Sequence, residues 1–419
     1  MEKNIAIPTS LIEQYKAIRL QTESLCNNLN PEDMVLQPIT DVSPIKWHLG
    51  HTAWFFETFI LQKYYPDYQV FHSSYNYLFN SYYESIGERI LRSNRGNLSR
   101  PLVSEVLKYR KHVDQYLIEL LTNTPIPEVL TFLELGLQHE QQHQELLVTD
   151  IKYILGHNPL FPAYIKNKKT KGKEEGYKKA TYLEIPEGIY KTGYSGKSFC
   201  YDNELPVHKS YINGFKIMDR LVANREYLEF IKDGGYTDFR HWHMEGWEMI
   251  KNQHWEAPLY WILKSGQWME YTTEGLKDLS MHAPVTHISY YEAAAFASWQ
   301  GKRLLTEQEW EAAVDHLKID SQNGNFLENG VFQPQPAHDT YQLFGDCWEW
   351  TNSSYLPYPG YRRAPGALGE YNGKFMINQM VLKGGSCVSP KAHIRASYRN
   401  FFHPDKRWQY TGIRLAEEI

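Results

Sequence analysis

Two histidines four residues apart, His139 and His143, stand in the run Gln138-His139-Glu140-Gln141-Gln142-His143-Gln144-Glu145. On a helix this spacing puts both rings on one face, one turn apart. Two imidazoles so placed can chelate one divalent metal through ring nitrogens. The same pair also suits a helix carrying two solvated or hydrogen-bonded histidines. A third histidine from a second helix favours the metal, and His51 is the candidate. His48 shares a face with His51 at i,i+3 and reads as a packing residue or as an outer partner of a ligand. The run also satisfies H-E-x-x-H, the pattern of zinc proteases in which Glu140 is the general base. That zinc hydrolase is the lesser alternative, because no convincing third ligand follows downstream. Glu174 and Glu175 lie in a lysine-rich stretch.

The elements that must position these groups read as long helices. Pro127 suits a helix start, and Val129, Leu130, Leu133, Leu137, Leu146, Leu147 and Ile151 recur at helical spacing with no further proline until Pro159. His51 lies within a second helix over 43–57, with Ser43 as cap and Pro44 at the first helical position. Gly50 inside it costs up to about 1 kcal/mol against alanine, so a close approach by another group, or simple tolerance, is expected there. Residues 9–28 predict a first helix capped by Thr9 or Ser10, followed by a turn at 27–31. Ser99 and Pro101 predict the opening of another, carrying Leu102, Val106, Tyr109, Val113, Tyr116 and Leu120. Four such helices make an up-and-down bundle, an architecture that builds metal sites in its core. Tyr75 to Tyr83 reads as a tyrosine-rich loop. Arg89, Arg92, Arg95 and Arg100 then form either a solvated basic loop or a carboxylate-binding rim.

Residues 166–179 are rich in lysine, glycine and glutamate and predict a linker or an exposed loop. Beyond them short strands dominate, as at 181–185 and 188–190, with helices at 291–299 and 307–314. A length of 419 residues allows two or three domains. The formal charge of −5 implies no general attraction to nucleic acid or membrane. The four cysteines are scattered and form no CxxC pair, which fits a reducing compartment. The N-terminus lacks an apolar signal region, and no run of about eighteen apolar residues is present. The prediction is a cytoplasmic protein. Most of its 31 tyrosines and 12 tryptophans are expected in the core.

The second half resembles the formylglycine-generating enzymes, on Asp202-Asn203-Glu204-Leu205-Pro206, Gly234-Gly235-Tyr236, Pro284-Val285-Thr286, Ser289-Tyr290-Tyr291-Glu292-Ala293, Gly301 through Glu311, Trp348-Glu349-Trp350, Gly384-Gly385-Ser386 and Gly412-Ile413-Arg414. Those enzymes use a pair of copper-binding cysteines near and after the Gly-Gly-Ser turn. Here Cys387 follows Ser386 and no second cysteine comes after it, so the fold is expected without that chemistry. The first half resembles the DinB-like metal-binding bundles. Joined in this order, the two resemble the ergothioneine-type sulfoxide synthases. The motifs that carry this are Trp47-His48-Leu49-Gly50-His51-Thr52, His139 to His143, Asn80-Ser81-Tyr82-Tyr83 and Tyr398-Arg399-Asn400-Phe401-Phe402.

The resemblance implies an α+β chain with three segments. A DinB-like four-helix bundle occupies 1–165, a linker 166–180, and a formylglycine-generating-enzyme-like (C-type-lectin-like) mixed domain 181–419. It implies Fe(II) held by His51, His139 and His143, and an enzyme joining a thiol to C2 of the hercynine imidazole with oxidation of the sulfur by O2. The proton or electron donor in some members is a tyrosine of the second domain. Here Ala367-Leu368 stands about where it is expected, between Tyr361 and Tyr371, which favours Tyr82 or Tyr83 instead. Gln142 matches a residue contacting the substrate imidazole. Asn400 and Phe401 match residues near its trimethylammonium and carboxylate end, where an aromatic face can hold a quaternary ammonium. Phe402 replaces an acidic residue of members that take γ-glutamylcysteine, so free cysteine is expected as the thiol, with Arg89, Arg92 or Arg95 clamping its carboxylate. Alternatives on the same scaffold are an ovothiol- or selenoneine-type synthase, and a binding module with a degenerate metal site.

Overall fold

Pro127 opens the longest helix of the chain, Pro127–Gly156, at a position where a missing N–H costs nothing. Val129, Leu133, Leu137, Leu147 and Ile151 form its buried stripe. The computed structural model describes residues 9–123, 126–165, 178–337, 341–363, 369–370 and 372–419. The chain divides into two units, Met1–Tyr164 and Ile165–Ile419.

The first unit is the helical bundle. Its helices are α1 (Thr9–Ser24), α2 (Ile45–Phe56), α3 (Gln62–Tyr64), α4 (Tyr75–Phe79), α5 (Val103–Asn123) and α6 (Pro127–Gly156). α2 packs against both α5 and α6, and α1 packs against α6. A π-helical turn, Glu57–Leu61, joins α2 to α3. Its buried Glu57 accepts hydrogen bonds from the Tyr109 hydroxyl at 2.5 Å, the Tyr68 hydroxyl at 2.7 Å and the Phe71 N–H at 3.1 Å. Those partners hold a helical irregularity of a kind otherwise rare.

Four sequence expectations need correction. α1 ends at Ser24, because the N–H groups of Cys26 and Asn27 bond Glu23 and Ser24 in a tightening turn. The Thr9 or Ser10 cap concerns side chains outside the described residues. Ser43 does not cap α2: its hydroxyl accepts from Arg95 and its N–H donates to Asp150, leaving Pro44 at the cap position. α5 starts at Val103, after an exposed Leu102 whose N–H donates to Glu105. Finally, Tyr75–Phe79 is a short helix rather than loop.

The second unit mixes short strands and helices. In order it contains β1 (Tyr182–Ile185), β2 (Gly188–Thr192), β3 (His208–Ile212), β4 (Phe215–Met218), α7 (Asn224–Lys232), α8 (Met244–Gln253), β5 (Trp261–Lys264), β6 (Gln267–Thr272), β7 (Gly275–Asp278), α9 (Tyr290–Trp299), β8 (Arg303–Leu304), α10 (Glu307–Leu317), β9 (Trp348–Ser354), β10 (Met380–Lys383), β11 (Asn400–Phe402), β12 (Thr411–Gly412) and β13 (Leu415–Glu418). Two four-stranded sheets, ordered β1-β4-β13-β8 and β11-β10-β9-β12, stand with a three-stranded sheet β5-β6-β7 and the pair β2-β3. Among the strand pairs of the described residues, β9 and β12 run parallel and the others antiparallel. α9 and α10 begin with capping boxes, Ser289 with Glu292 and Thr306 with Glu309. α7 and α8 go beyond the helices read from sequence.

The family motifs are buried structure here. Arg414 donates twice to Glu349, at 2.8 and 2.9 Å, and the Trp310 indole N–H donates to the same carboxylate at 2.9 Å. Gly384 and Gly385 take φ of 97° and 80°, a region that favours glycine. Cys347 and Cys387 are buried and are not joined in a disulfide. The linker expected at 166–180 lies outside the described residues over 166–177.

Candidate metal centre

α2 is buried along its whole length, because it packs between α5 and α6. Gly50 has a steric reason. A Cβ there would come within 2.3 Å of the Phe79 ring at the end of α4. Seating Phe79 this close brings its carbonyl to His51, whose Nδ1 donates to it at 2.6 Å. That bond consumes the ring proton and leaves Nε2 as a lone pair. On α6, a Cβ at Gly136 would come within 2.4 Å of Phe56. Glycine at both positions therefore lets α4 and α6 approach α2 closely.

The result is convergence. One ring nitrogen each from His51, His139 and His143 lies within 4.8 Å of the others, and all three residues are buried. Nε2 of His51 sits 3.1 Å from Nε2 of His139. Among the described residues no other group of three metal-ligating side chains gathers in this way. Burial and the neighbouring His139 push His51 well below its usual pKa, although the Phe79 carbonyl opposes the shift. Burial holds His139 down at about 3 against the opposing effect of Glu140. Burial, His139 and His51 push His143 down as well. All three rings are therefore neutral near pH 7, the state in which imidazole binds a metal.

The donor set fits a divalent transition metal: three uncharged nitrogens, no carboxylate in the cluster, and no water needed to satisfy the outer ring positions of His51 and His143. His143 Nδ1 faces His48 Nδ1 at 2.9 Å, and His48 Nε2 faces Asp150 Oδ2 at 2.9 Å. The His51 ring is sandwiched between Trp47 (4.6 Å, 12°) and Trp54 (5.5 Å, 17°). The guanidinium of Arg95 lies 3.3 Å over the Trp47 ring.

Glu140 does not belong to the centre. Its carboxylate accepts from Arg19 and Arg110, each at 2.9 Å, and its side chain is fully buried. Burial alone would raise its pKa, but the two guanidiniums prevail and hold it at about 2. A carboxylate tied to two cations is a poor base, so the zinc-hydrolase reading of His139-Glu140-x-x-His143 loses its catalytic group.

The remaining expected site residues are placed unequally. Tyr83 is buried, 5.6 Å from Trp54 by ring centroids, and the half-buried Tyr82 stacks on it at 4.8 Å. Asn80 ties their loop together by accepting the Tyr83 N–H and donating to the Tyr83 and Gly87 carbonyls. Through Phe79 this loop continues directly from the His51 hydrogen bond. Gln142 is half-buried on α6, next to His143. The three arginines separate. Arg89 pairs with Glu84 at 2.9 Å, Arg92 is exposed and donates to the Asp41 carbonyl, and Arg95 is buried against Trp47 and Ser43. Asn400, Phe401 and Phe402 form β11 of the second unit, where Phe401 stacks on Tyr355 at 4.0 Å and Phe402 meets Trp408 edge-on. The Ala367-Leu368 and Tyr371 positions lie outside the described residues. Sequence reasoning missed Asp150 and the Phe79 carbonyl. Asp150 had a signal, since it lies seven residues after His143 and two turns along the same helix face. The Phe79 carbonyl had none.

Residues 167–321 and 315–419 match the family described as Sulfatase-modifying factor enzyme 1-like domain. The chain belongs to that family. Residues 14–147 match the DinB superfamily, so this is a DinB-fused member, and it is related to bacterial hercynine oxygenases. The hercynine oxygenase of Mycobacterium tuberculosis is 34% identical over 241 residues, covering 52% of this chain and 56% of that protein. That of Mycolicibacterium smegmatis is 28% identical over 409 residues, covering 90% and 92%. That of Mycolicibacterium thermoresistibile is 31% identical over 249 residues, covering 53% and 54%. The chain thus spans about half the length of two of these relatives and nearly all of the third. No helix of the described residues is long and apolar enough to cross a membrane.

Proposed function

We propose that this chain is an O2-dependent, non-haem iron(II) sulfoxide synthase that joins C2 of the hercynine imidazole to the sulfur of cysteine. The observation that carries the reading is the meeting of three buried, uncharged imidazoles from two helices in a relative of hercynine oxygenases. Three protein ligands leave open positions for substrate and dioxygen. Bound by these rings, iron(II) supplies the redox chemistry that zinc lacks. The balance needs no further oxidant: the C–H and S–H bonds give way to C–S, one oxygen atom ends on sulfur, and the other leaves as water with both protons.

The chain's own residues bind and orient. The Trp47–Trp54 sandwich holds the His51 ring in one plane. Gln142 offers a polar contact for the substrate imidazole. Asn400 and Phe401 receive the trimethylammonium and carboxylate end, the aromatic face attracting the cation. Phe402 offers no carboxylate to a glutamyl amine, which favours cysteine over γ-glutamylcysteine. Arg89 and Arg92 are the accessible carboxylate clamps, whereas Arg95 is held inside the bundle by Trp47 and Ser43.

Anaerobic loading with Fe(II), followed by oxygen, hercynine and either thiol, tests this by mass spectrometry. The hercynylcysteine sulfoxide is expected, with cysteine turned over faster than γ-glutamylcysteine. A large preference for the dipeptide overturns the thiol assignment. Product from histidine but not hercynine reassigns the acceptor, and no product with either refutes the reaction.

Tyr82 or Tyr83 is the proposed proton donor, and the support is their loop's continuity with the His51–Phe79 hydrogen bond. Phenylalanine at the operative position is expected to lower sulfoxide formation by about 10²-fold or more, the usual scale for general acid catalysis. If Tyr82→Phe and Tyr83→Phe both form sulfoxide at the full rate, neither phenol relays a proton.

A further inference from the structure

His143 is one of the three converging imidazoles, yet its outer nitrogen meets neither a backbone carbonyl nor a carboxylate directly. It meets another histidine. His143 Nδ1 lies 2.9 Å from His48 Nδ1, and His48 Nε2 lies 2.9 Å from Asp150 Oδ2. His48 and Asp150 are both 2% exposed, so bulk water does not compete for these bonds. The directions of the hydrogen bonds follow from the chemistry. A carboxylate accepts, so His48 carries its proton on Nε2 and presents a lone pair at Nδ1. That lone pair takes the proton of His143 Nδ1, which leaves His143 Nε2 bare.

We propose that Asp150 and His48 are positioning residues that fix the tautomer and ring orientation of His143 for metal binding, through a carboxylate–imidazole–imidazole chain. The proposal rests on the reading of His51, His139 and His143 as ligands. The chain joins both ligand-bearing helices: His48 comes from α2, while His143 and Asp150 come from α6, two turns apart. Asp150 is itself held, since its Oδ2 also accepts the Ser43 N–H at 2.8 Å. His51 has its own orienting partner in the Phe79 carbonyl, so two of the three rings are locked by different means. Outer partners of this kind set both the tautomer and the basicity of a ligating histidine.

The test is cobalt(II) titration of the full chain after removal of metal by a chelator, followed by calorimetry and by the cobalt absorption spectrum. Asp150→Asn keeps volume and an acceptor but removes the charge, and His48→Phe keeps the ring but removes both nitrogens. Each is expected to weaken cobalt binding by about 10- to 100-fold and to shift the cobalt ligand-field bands. The double variant should bind no more weakly than His48→Phe alone, because both residues act through one chain. Wild-type affinity and spectrum in Asp150→Asn and His48→Phe overturn the proposal, as do losses that multiply in the double variant. If His48→Phe does not fold, Asp150→Asn decides by the same criteria. If the unaltered chain takes no cobalt, the ligand reading itself fails, a result distinct from failure of the relay.

Discussion

His139→Ala is expected to abolish equimolar Fe(II) binding and, with it, the proposed sulfoxide formation, while the bundle remains helical. Nε2 of His139 lies 3.1 Å from Nε2 of His51, so its removal takes one of the three nitrogens out of the donor set. Changing an outer partner of a ligand costs about 10- to 100-fold in affinity, and losing the ligand itself costs more than that range. The fold should survive because the ring is neutral and leaves no unpaired charge behind. It leaves space beside Phe55, whose ring centroid is 4.8 Å away. His157→Ala is the control. That residue follows the same helix at its C-cap, exposed and stacked on Tyr153, and its loss should leave iron binding unchanged. Metal analysis after anaerobic loading and desalting separates the two variants. Stoichiometric iron in His139→Ala would remove that ring from the site.

Glu140→Ala destabilises the helical unit by about 3–5 kcal/mol, the scale for removing one partner of a buried ion pair. Arg19 and Arg110 would each lose a 2.9 Å contact while remaining buried. Each retains other partners, Asp114 for Arg19 and Thr52 with Leu49 for Arg110, but two guanidiniums would share less negative charge. Glu140→Gln, which keeps an acceptor, should cost less. pH adds a second readout. The Glu140 carboxyl is held at about 2 when folded, below its unfolded value of about 4.3. Its contribution is therefore fully present above the unfolded value and is lost as pH falls toward 2. Glu140→Gln should flatten that acid-side loss. Denaturant unfolding followed by far-UV circular dichroism, at neutral pH and at pH 3, measures both effects. Unchanged stability in Glu140→Ala would mean that the carboxylate is free for chemistry, as the hydrolase reading requires.

Features that depend on neighbours along the chain are legible in the residues alone. Pro127 and the apolar stripe after it specify α6, and a four-residue spacing places His139 and His143 on one face, because a helix repeats every 3.6 residues whatever surrounds it. Ser289 with Glu292 and Thr306 with Glu309 mark helix starts in the second unit by equally local chemistry. The ordered motifs around Trp310, Glu349 and Arg414 were legible as family pattern, and their hydrogen bonds to one another explain why those residue types recur together. Meetings between distant segments emerge from the packing of the chain. His51 and His139 are 88 residues apart in sequence. Glu140, one residue from a metal-ligating candidate, turns instead to Arg19 and Arg110 from α1 and α5. Ser43 gave up its cap because Arg95 and Asp150 claimed it, and three arginines that look alike in sequence took a surface ion pair, a backbone carbonyl and a buried stack. One cause underlies all of these. A buried polar group must find a partner, and which partner is within reach is set by how helices pack, not by the spacing of residues along any one of them.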